Sequence, residues 1–392
     1  MTGVLAIIGS GETSPTMVTV HKRLADRLPR SRRCVLLETP YLFQTNAAGV
    51  SAKAQTYFAR SVGLDVTAVP GTAADAAFVH GADWVFAGPG SPSYALRHWR
   101  GGSIAQALHD RIRSATGVTI LASAAAATIG RASVPVYEIY KAGDPPHWLD
   151  GLDLLSVLGL NVAVVPHFDN TEGGTYDTRF CYLGEPRLLA MEGLLPDGVG
   201  VLGIDEHTAL LIELSTMECE VVGKGGVTVR RAGAVATLPA GAAVSVADLL
   251  AIEPRHAIAR IPRPRNGHAR TDTAAPTLRD AVAAAEAQFA AATAPDDRVA
   301  AVLALEAAIH EWATDTDEDD GVEQARAVLR GLIVRLAGPS AVSVALVDAL
   351  LAVRRDLRAT GAFGLGDAIR DALAGEGVRV NDTADGATWT TR

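Results

Sequence analysis

In the N-terminal part of the chain, apolar residues come in short unbroken runs: Val4–Ile8, Val35–Leu37, Val66–Val69, Trp84–Ala87 and Val118–Ala122. Between them lie stretches with apolar positions three or four apart, Met17–Leu28, Lys53–Val62 and Ile104–Arg113. Runs that are apolar at every position predict strands covered on both faces. Their alternation with helical stretches predicts βαβ units, hence an α/β fold with a mostly parallel sheet flanked by helices. Val162–Val165, Gly200–Ile204 and Ala209–Leu214 continue the strands. Cys219–Val222 and Gly226–Arg230 read as a β-hairpin closed by Gly223-Lys224-Gly225. Beyond Ile252 the period is lost: Glu253–Thr277 collects Pro, Arg and His and reads as a linker. From Leu278 onward the spacing is helical, over Leu278–Ala291, Val299–Trp312, Val322–Leu336, Ala341–Leu357 and Gly366–Ala374. At 392 residues the chain exceeds what one core usually serves. The expected division is an α/β domain over 1–252, a linker over 253–277 and a small helical domain over 278–392.

Charge sharpens this division. The net charge is −9, and Pro276–Arg392 holds 11 Arg, no Lys and 19 Asp and Glu, so nearly all the excess is C-terminal. That balance argues against free attraction to a phosphate backbone. Five of the six residues of Asp315–Asp320 are acids, read as a solvated loop. The three cysteines, Cys34, Cys181 and Cys219, are scattered, which excludes a disulfide framework and fits a reducing compartment. No stretch is long and apolar enough for a signal or a membrane span, so a soluble cytoplasmic protein with no membrane partner is expected. No His, Cys, Asp or Glu group has metal-ligand spacing, and no cofactor is called for.

Three polar or glycine-rich loops follow strands: Gly9-Ser10-Gly11-Glu12, Gly88-Pro89-Gly90-Ser91 and Ala122-Ser123-Ala124. In an open α/β sheet the ligand crevice lies outside the carboxyl ends of the strands, so all three point at one place. The two glycine loops lack a P-loop's Lys-Ser/Thr ending and a dinucleotide fingerprint's third glycine. Ser123 ends a strand and opens an Ala-rich helix, the strand–turn–helix setting of a nucleophile elbow; the same position also suits a helix N-cap. His167 follows the run ending at Val165-Pro166 and offers a base of suitable acidity. Asp205 and Glu206 follow another strand, and strand alternation lets one of them face the imidazole. The N–H of Ala124, with one from Gly88 or Gly90, offers an oxyanion site. Asp169, Asn170, Arg179 and Arg187 lie on or near a polar stretch after His167 and are candidate substrate ligands, the arginines as carboxylate forks. Cys181 is a second nucleophile candidate, better suited to packing.

Ser123 in a small-residue turn, Pro166-His167-Phe168 and Gly203-Ile204-Asp205-Glu206-His207-Thr208-Ala209-Leu210 together resemble the cyanophycinase and aspartyl-dipeptidase group of serine peptidases. Separations of 44 residues from Ser123 to His167 and 39 from His167 to Glu206 fit that group, as does Gly225-Gly226-Val227-Thr228-Val229. The resemblance covers roughly residues 3–250. It implies a class I glutamine amidotransferase-like fold, no cofactor, and hydrolysis of a peptide or isopeptide bond beside an acidic residue. By position it makes Ser123 the nucleophile, His167 the base and Glu206 the orienting acid. The sequence departs from the family's Gly-x-Ser-Ala-Gly-Ala elbow, reading Leu121-Ala122-Ser123-Ala124-Ala125-Ala126, and the Gly88–Tyr94 loop replaces a Gly-Gly-Asp-Gln type.

The end of the chain has its own resemblance. Arg354-Arg355-Asp356-Leu357-Arg358, Gly366-Asp367-Ala368-Ile369-Arg370-Asp371-Ala372-Leu373, Gly377-Val378-Arg379-Val380 and Gly386-Ala387-Thr388-Trp389 are similar to the C-terminal tail of cysteinyl-tRNA synthetases. No synthetase catalytic motif or zinc site accompanies it. Only Arg354, Arg355, Arg358 and Arg370 could supply a basic face, so tRNA is a less favoured partner than docking or homo-oligomer formation. The sequence therefore supports two functions. One is a serine hydrolase acting on a small acidic peptide or amide; the other is a binding protein for a ligand, tRNA or protein that keeps the fold without catalysis.

Overall fold

The structure, a computed structural model, describes residues 3–173, 176–251, 276–315, 321–337, 344–383 and 386–391. Five strands, β1 (Val4–Ile8), β2 (Cys34–Leu37), β3 (Val66–Val69), β4 (Trp84–Ala87) and β5 (Val118–Ala122), pair in parallel in the order β1-β5-β4-β2-β3. Side chains alternate between two buried layers, as a sheet covered on both faces requires. Leu5, Ile7, Val85, Ala87 and Leu121 enter one layer. Val4, Ala6, Ile8, Trp84, Phe86 and Ile120 enter the other. Each such leucine or isoleucine removed from water stabilises the fold by about 2 kcal/mol. The expected α/β class and parallel-rich sheet are thus observed.

A short two-stranded ladder, β6 (Ala132–Ser133) with β7 (Leu149–Asp150), precedes the second half of the unit. There β8 (Val162–Val165) and β9 (Gly200–Ile204) leave the large sheet and pair in parallel as part of a four-stranded one. β10 (Thr208–Glu213), β11 (Glu218–Gly223) and β14 (Ala243–Ser245) extend the large sheet antiparallel beyond β1. β12 (Gly226–Arg231) pairs instead with β9 and with β13 (Ala234–Pro239). The expected hairpin between Cys219–Val222 and Gly226–Arg230 is therefore wrong. Gly223-Lys224-Gly225 is a crossover between sheets, and the hairpins are β10–β11 and β12–β13. Close passage explains the glycines better than a turn does. Gly223 has φ +115, and a Cβ there would lie 2.2 Å from the His207 carbonyl oxygen.

The chain divides into two compact units, residues 1–285 with 303–326, and residues 286–302 with 327–392. The segment 303–326, expected in the helical region, thus packs with the α/β part. The linker expected over 253–277 lies outside the described residues except for its last two positions. Of the acidic run read as a solvated loop, only Asp315 is described, and it is buried. In the smaller unit the helices Val344–Ala359 and Phe363–Gly375 carry the hairpin of β15 (Val378–Thr383) and β16 (Gly386–Thr391). Val347, Leu351, Leu373 and Val378 form its core, and Trp389 Nε1 donates to Asp348 Oδ1 at 2.9 Å. No helix among the described residues is long and apolar enough to cross a membrane.

Candidate active site

β5 ends at Ala122 and a helix starts at Ser123, with no residue between them to absorb the change of direction. Ser123 takes φ +46, a left-handed conformation that costs an L residue about 1–2 kcal/mol. Such a turn projects its side chain out of both strand and helix. Leu121 and Ala125 stand where the resembled family has glycine, and both are fully buried in one core layer. Leu121 pairs in register with Ile7 and Ala87, and Ala125 N donates to the Gly88 carbonyl at 3.2 Å. The sharp turn therefore forms without flanking glycines, and their space is filled by core methyl groups.

The parallel pair β8 and β9 of the small sheet delivers the other two groups from its carboxyl ends. Ser123 Oγ lies 2.9 Å from His167 Nε2. His167 Nδ1 lies 2.9 Å from Glu206 Oε1. His167 is buried and also left-handed, with φ +48. Asp205 points away and accepts from Gly226 N at 2.7 Å, anchoring the crossover between the sheets. Burial, with the nearby charge of Asp169, pushes its carboxyl up to about 6. Burial would raise Glu206 too, but hydrogen bonds from His167 and Asn170 outweigh it and hold Glu206 below the usual range. Of the two acids considered, Glu206 is the one that meets the imidazole, and it does so ionised.

Asp169 and Asn170, expected on substrate, are turned toward the acid. Asn170 is fully buried; its Nδ2 donates to Glu206 Oε1 at 2.9 Å. Its Oδ1 accepts from Glu172 N at 3.1 Å. Asp169 Oδ1 accepts from Glu206 N at 2.7 Å. Arg179 forks onto its neighbour Asp177, and Arg187 reaches the Leu183 carbonyl. Neither arginine borders the cavity at Ser123; each reaches a partner only a few residues away along the chain.

That cavity measures about 280 Å³ and is bounded by Gly90, Ala124, Lys141, Glu172 and four tyrosines, Tyr137, Tyr140, Tyr176 and Tyr182. Of the backbone donors considered, Gly90 and Ala124 face it, while Gly88 sits over the Glu12 carboxylate. The hydroxyls of Tyr140 and Tyr176 meet at 2.7 Å. Tyr182 lies tilted beside the His167 ring, 6.0 Å between centroids and 46° between planes, and its hydroxyl donates to Glu172 Oε2 at 2.9 Å. Three consecutive left-handed residues, Phe180, Cys181 and Tyr182, aim that ring, while Cys181 N donates to the His167 carbonyl at 3.1 Å. Burial, followed by the charge of Glu206, pushes the Cys181 thiol up to about 12, which suits packing and not nucleophilic attack. Of this wall only Tyr176 lies in the polar stretch after His167; Lys141, Tyr137, Tyr140 and Tyr182 carry no sequence signal, since no motif marks scattered aromatic residues. Among the described residues no group of three His, Cys, Asp or Glu side chains converges to hold a metal ion.

No family model matches the chain. A crystal structure of a peptidase from an acI-B1 Actinobacterium superposes with a TM-score of 0.50 at 21% identity, covering 62% of this chain and 97% of that one. A putative peptidase E protein from Listeria monocytogenes superposes with a TM-score of 0.40 at 15% identity, covering 57% and 98%. A separate segment of 127 residues is 39% identical to the cysteine–tRNA ligase of Halobacterium salinarum, 28% of this chain and 26% of the ligase. This chain thus spans about a quarter of the length of that curated relative. The α/β part has the fold of the actinobacterial peptidase, and a second part of the chain is similar to one segment of a cysteine–tRNA ligase.

Proposed function

We propose that the protein is a serine hydrolase that cleaves a peptide, isopeptide or amide bond of a small acidic substrate with Ser123, His167 and Glu206. The observation that carries this reading is the unbroken line from Ser123 Oγ through both nitrogens of His167 to Glu206, with 2.9 Å at each step. Imidazole between a hydroxyl and an ionised carboxylate is the arrangement that activates a serine. The left-handed Ser123 adds weight, because strain of this kind gathers at functional turns.

In this reaction Ser123 Oγ attacks the substrate carbonyl carbon while its proton passes to His167 Nε2. Nδ1–H of the imidazolium donates to Glu206, which offsets the new positive charge. The N–H groups of Ala124 and Gly90 receive the carbonyl oxygen as it becomes an oxyanion. His167 returns the proton to the leaving nitrogen as the C–N bond breaks, and water then repeats the sequence to release the acyl group. Asn170 and Asp169 act one step back, fixing the carboxylate and the backbone of Glu206.

A cavity of about 280 Å³ is at the small end for ligand sites, in keeping with a short substrate. Lys141 is the Lys or Arg among the residues bounding it, and it replaces Arg179 and Arg187 as the proposed partner of a substrate carboxylate. The reading is tested by assaying aspartyl and β-aspartyl peptides with wild type, Ser123→Ala and Lys141→Met. Ser123→Ala should abolish turnover. Lys141→Met should raise KM for acidic substrates about tenfold with kcat little changed, as for an interaction held equally in ground and transition states. Turnover that survives Ser123→Ala would end the proposal.

A further inference from the structure

Glu206 is followed at once by His207, whose ring is clamped on two sides by parts of the chain far apart in sequence. One side is the loop after β1. His207 N donates to the Ser10 carbonyl at 3.2 Å, and His207 Nδ1 lies 3.1 Å from Thr16 Oγ1. Gly11 leaves the room: it has φ +61, and a Cβ there would stand 2.1 Å from His207 Nδ1. The other side is Trp312, whose ring meets the imidazole edge-on at 5.5 Å between centroids and 84° between planes. Trp312 is buried, and three residues on the buried Asp315 accepts from Thr13 Oγ1 at 2.9 Å across 302 residues of chain. Segment 303–315 therefore grips both the β1 loop and the residue after Glu206. The outer faces of Glu206 and His207 border a second cavity of about 790 Å³, with Trp312 on its wall.

We infer that Trp312 and Asp315 are positioning residues of the active site: by fixing His207 against the β1 loop they set the backbone from which Glu206 reaches His167. The physical basis is leverage. His207 is left-handed, at φ +52, a conformation that a non-glycine residue keeps only when its surroundings hold it. Removing the indole frees the ring on one side, and relaxation of that φ moves the adjoining Glu206. The segment 303–315 is then a working part of the hydrolase. In its catalytic consequence this inference rests on the function proposed above; in its geometry it does not.

Two readouts separate the two. The first is the low-field proton resonance of the His167 Nδ1–H shared with Glu206, which needs no turnover. The second is the rate of covalent labelling by a fluorophosphonate. Trp312→Ala and Asp315→Ala should each weaken or abolish the resonance at pH 7 while circular dichroism shows the fold intact. Each should slow labelling by about ten- to a hundredfold, the scale of a small displacement of a catalytic group. Trp312→Phe, which keeps an aromatic edge, should restore both. A resonance present in wild type and lost in the variants, with no labelling of wild type, would uphold the positioning role and sink the hydrolase reading. A resonance that is absent from wild type, or unmoved in folded Trp312→Ala and Asp315→Ala, would overturn the inference.

Discussion

Ser123, His167 and Glu206 each owe their position to backbone as much as to side chain. Two of them sit in left-handed turns directly after strands, so the strands aim them and little freedom remains. Asn170 supports the acid from behind, because one amide both binds Glu206 Oε1 and holds the Glu172 backbone. Glu206→Gln should slow labelling of Ser123 by at least about a hundredfold, since an amide cannot stabilise the imidazolium and favours the wrong tautomer. Asn170→Asp keeps the shape but sets a second carboxylate against Glu206, and it should slow labelling as well; a rate equal to wild type would mean that Glu206 holds its place unaided. Leu121 answers a different question. Leu121→Ala should cost about 2–5 kcal/mol in a urea melt, the range for a buried leucine, which would confirm that this elbow exchanges glycine for core packing. Ser123 and His167 were legible in the sequence because each directly follows an apolar run. Asn170 stood out too, but not as a partner of Glu206, and Lys141, Tyr137, Tyr140 and Tyr182 did not stand out, because their roles depend on which way a loop folds back.

Among the elements, strands β1 to β5 were legible almost to the residue, since unbroken apolar runs leave few alternatives. The Gly223-Lys224-Gly225 step was not. Glycines between two apolar runs signal a tight turn and a close passage equally well, and only the three-dimensional position of the Asp205–His207 loop decides between them. Asp205 anchors that crossover through Gly226 N, and its carboxyl, raised to about 6, gives the crossover a pH signature. The folded protein keeps the Asp205 proton to higher pH than the unfolded chain, whose aspartates titrate near 4. Stability from this group is therefore lost as pH rises from about 4 to about 6, and is constant above that. Asp205→Asn removes the titration while keeping an acceptor for Gly226. Measured by denaturant midpoints, the variant should gain on wild type between pH 4 and pH 6 and then run parallel. A difference that does not change with pH would show that the carboxyl titrates normally.

For the molecule as a whole, the sequence located two kinds of structure but not how segments group. Residues 303–326 look like the rest of the helical region, yet they belong with the α/β unit, through contacts that no periodicity reveals. The smaller unit speaks to the tRNA question. Its candidate basic face is engaged internally: Arg354 forks onto Asp382, Arg358 pairs with Asp367, and Arg370 lies beside Asp367 and Asp371. Arg354→Ala should destabilise this unit by about 1–3 kcal/mol, because the buried guanidinium also caps the Gly366 carbonyl. Arginines already paired with carboxylates release few counterions from a nucleic acid. Bulk tRNA should accordingly give no shift in a gel at 50 mM salt; binding that falls about a thousandfold by 200 mM salt would instead point to several phosphate contacts.

The central claim, that Ser123 is activated by His167, is tested most directly by treating wild type, Ser123→Ala and His167→Ala with a fluorophosphonate and weighing the intact proteins. One adduct on wild type, absent from both variants, is the expected result and would justify the search for an acidic peptide substrate. An adduct that persists on Ser123→Ala, or no adduct on a folded wild type whose cavity admits the probe, would contradict it.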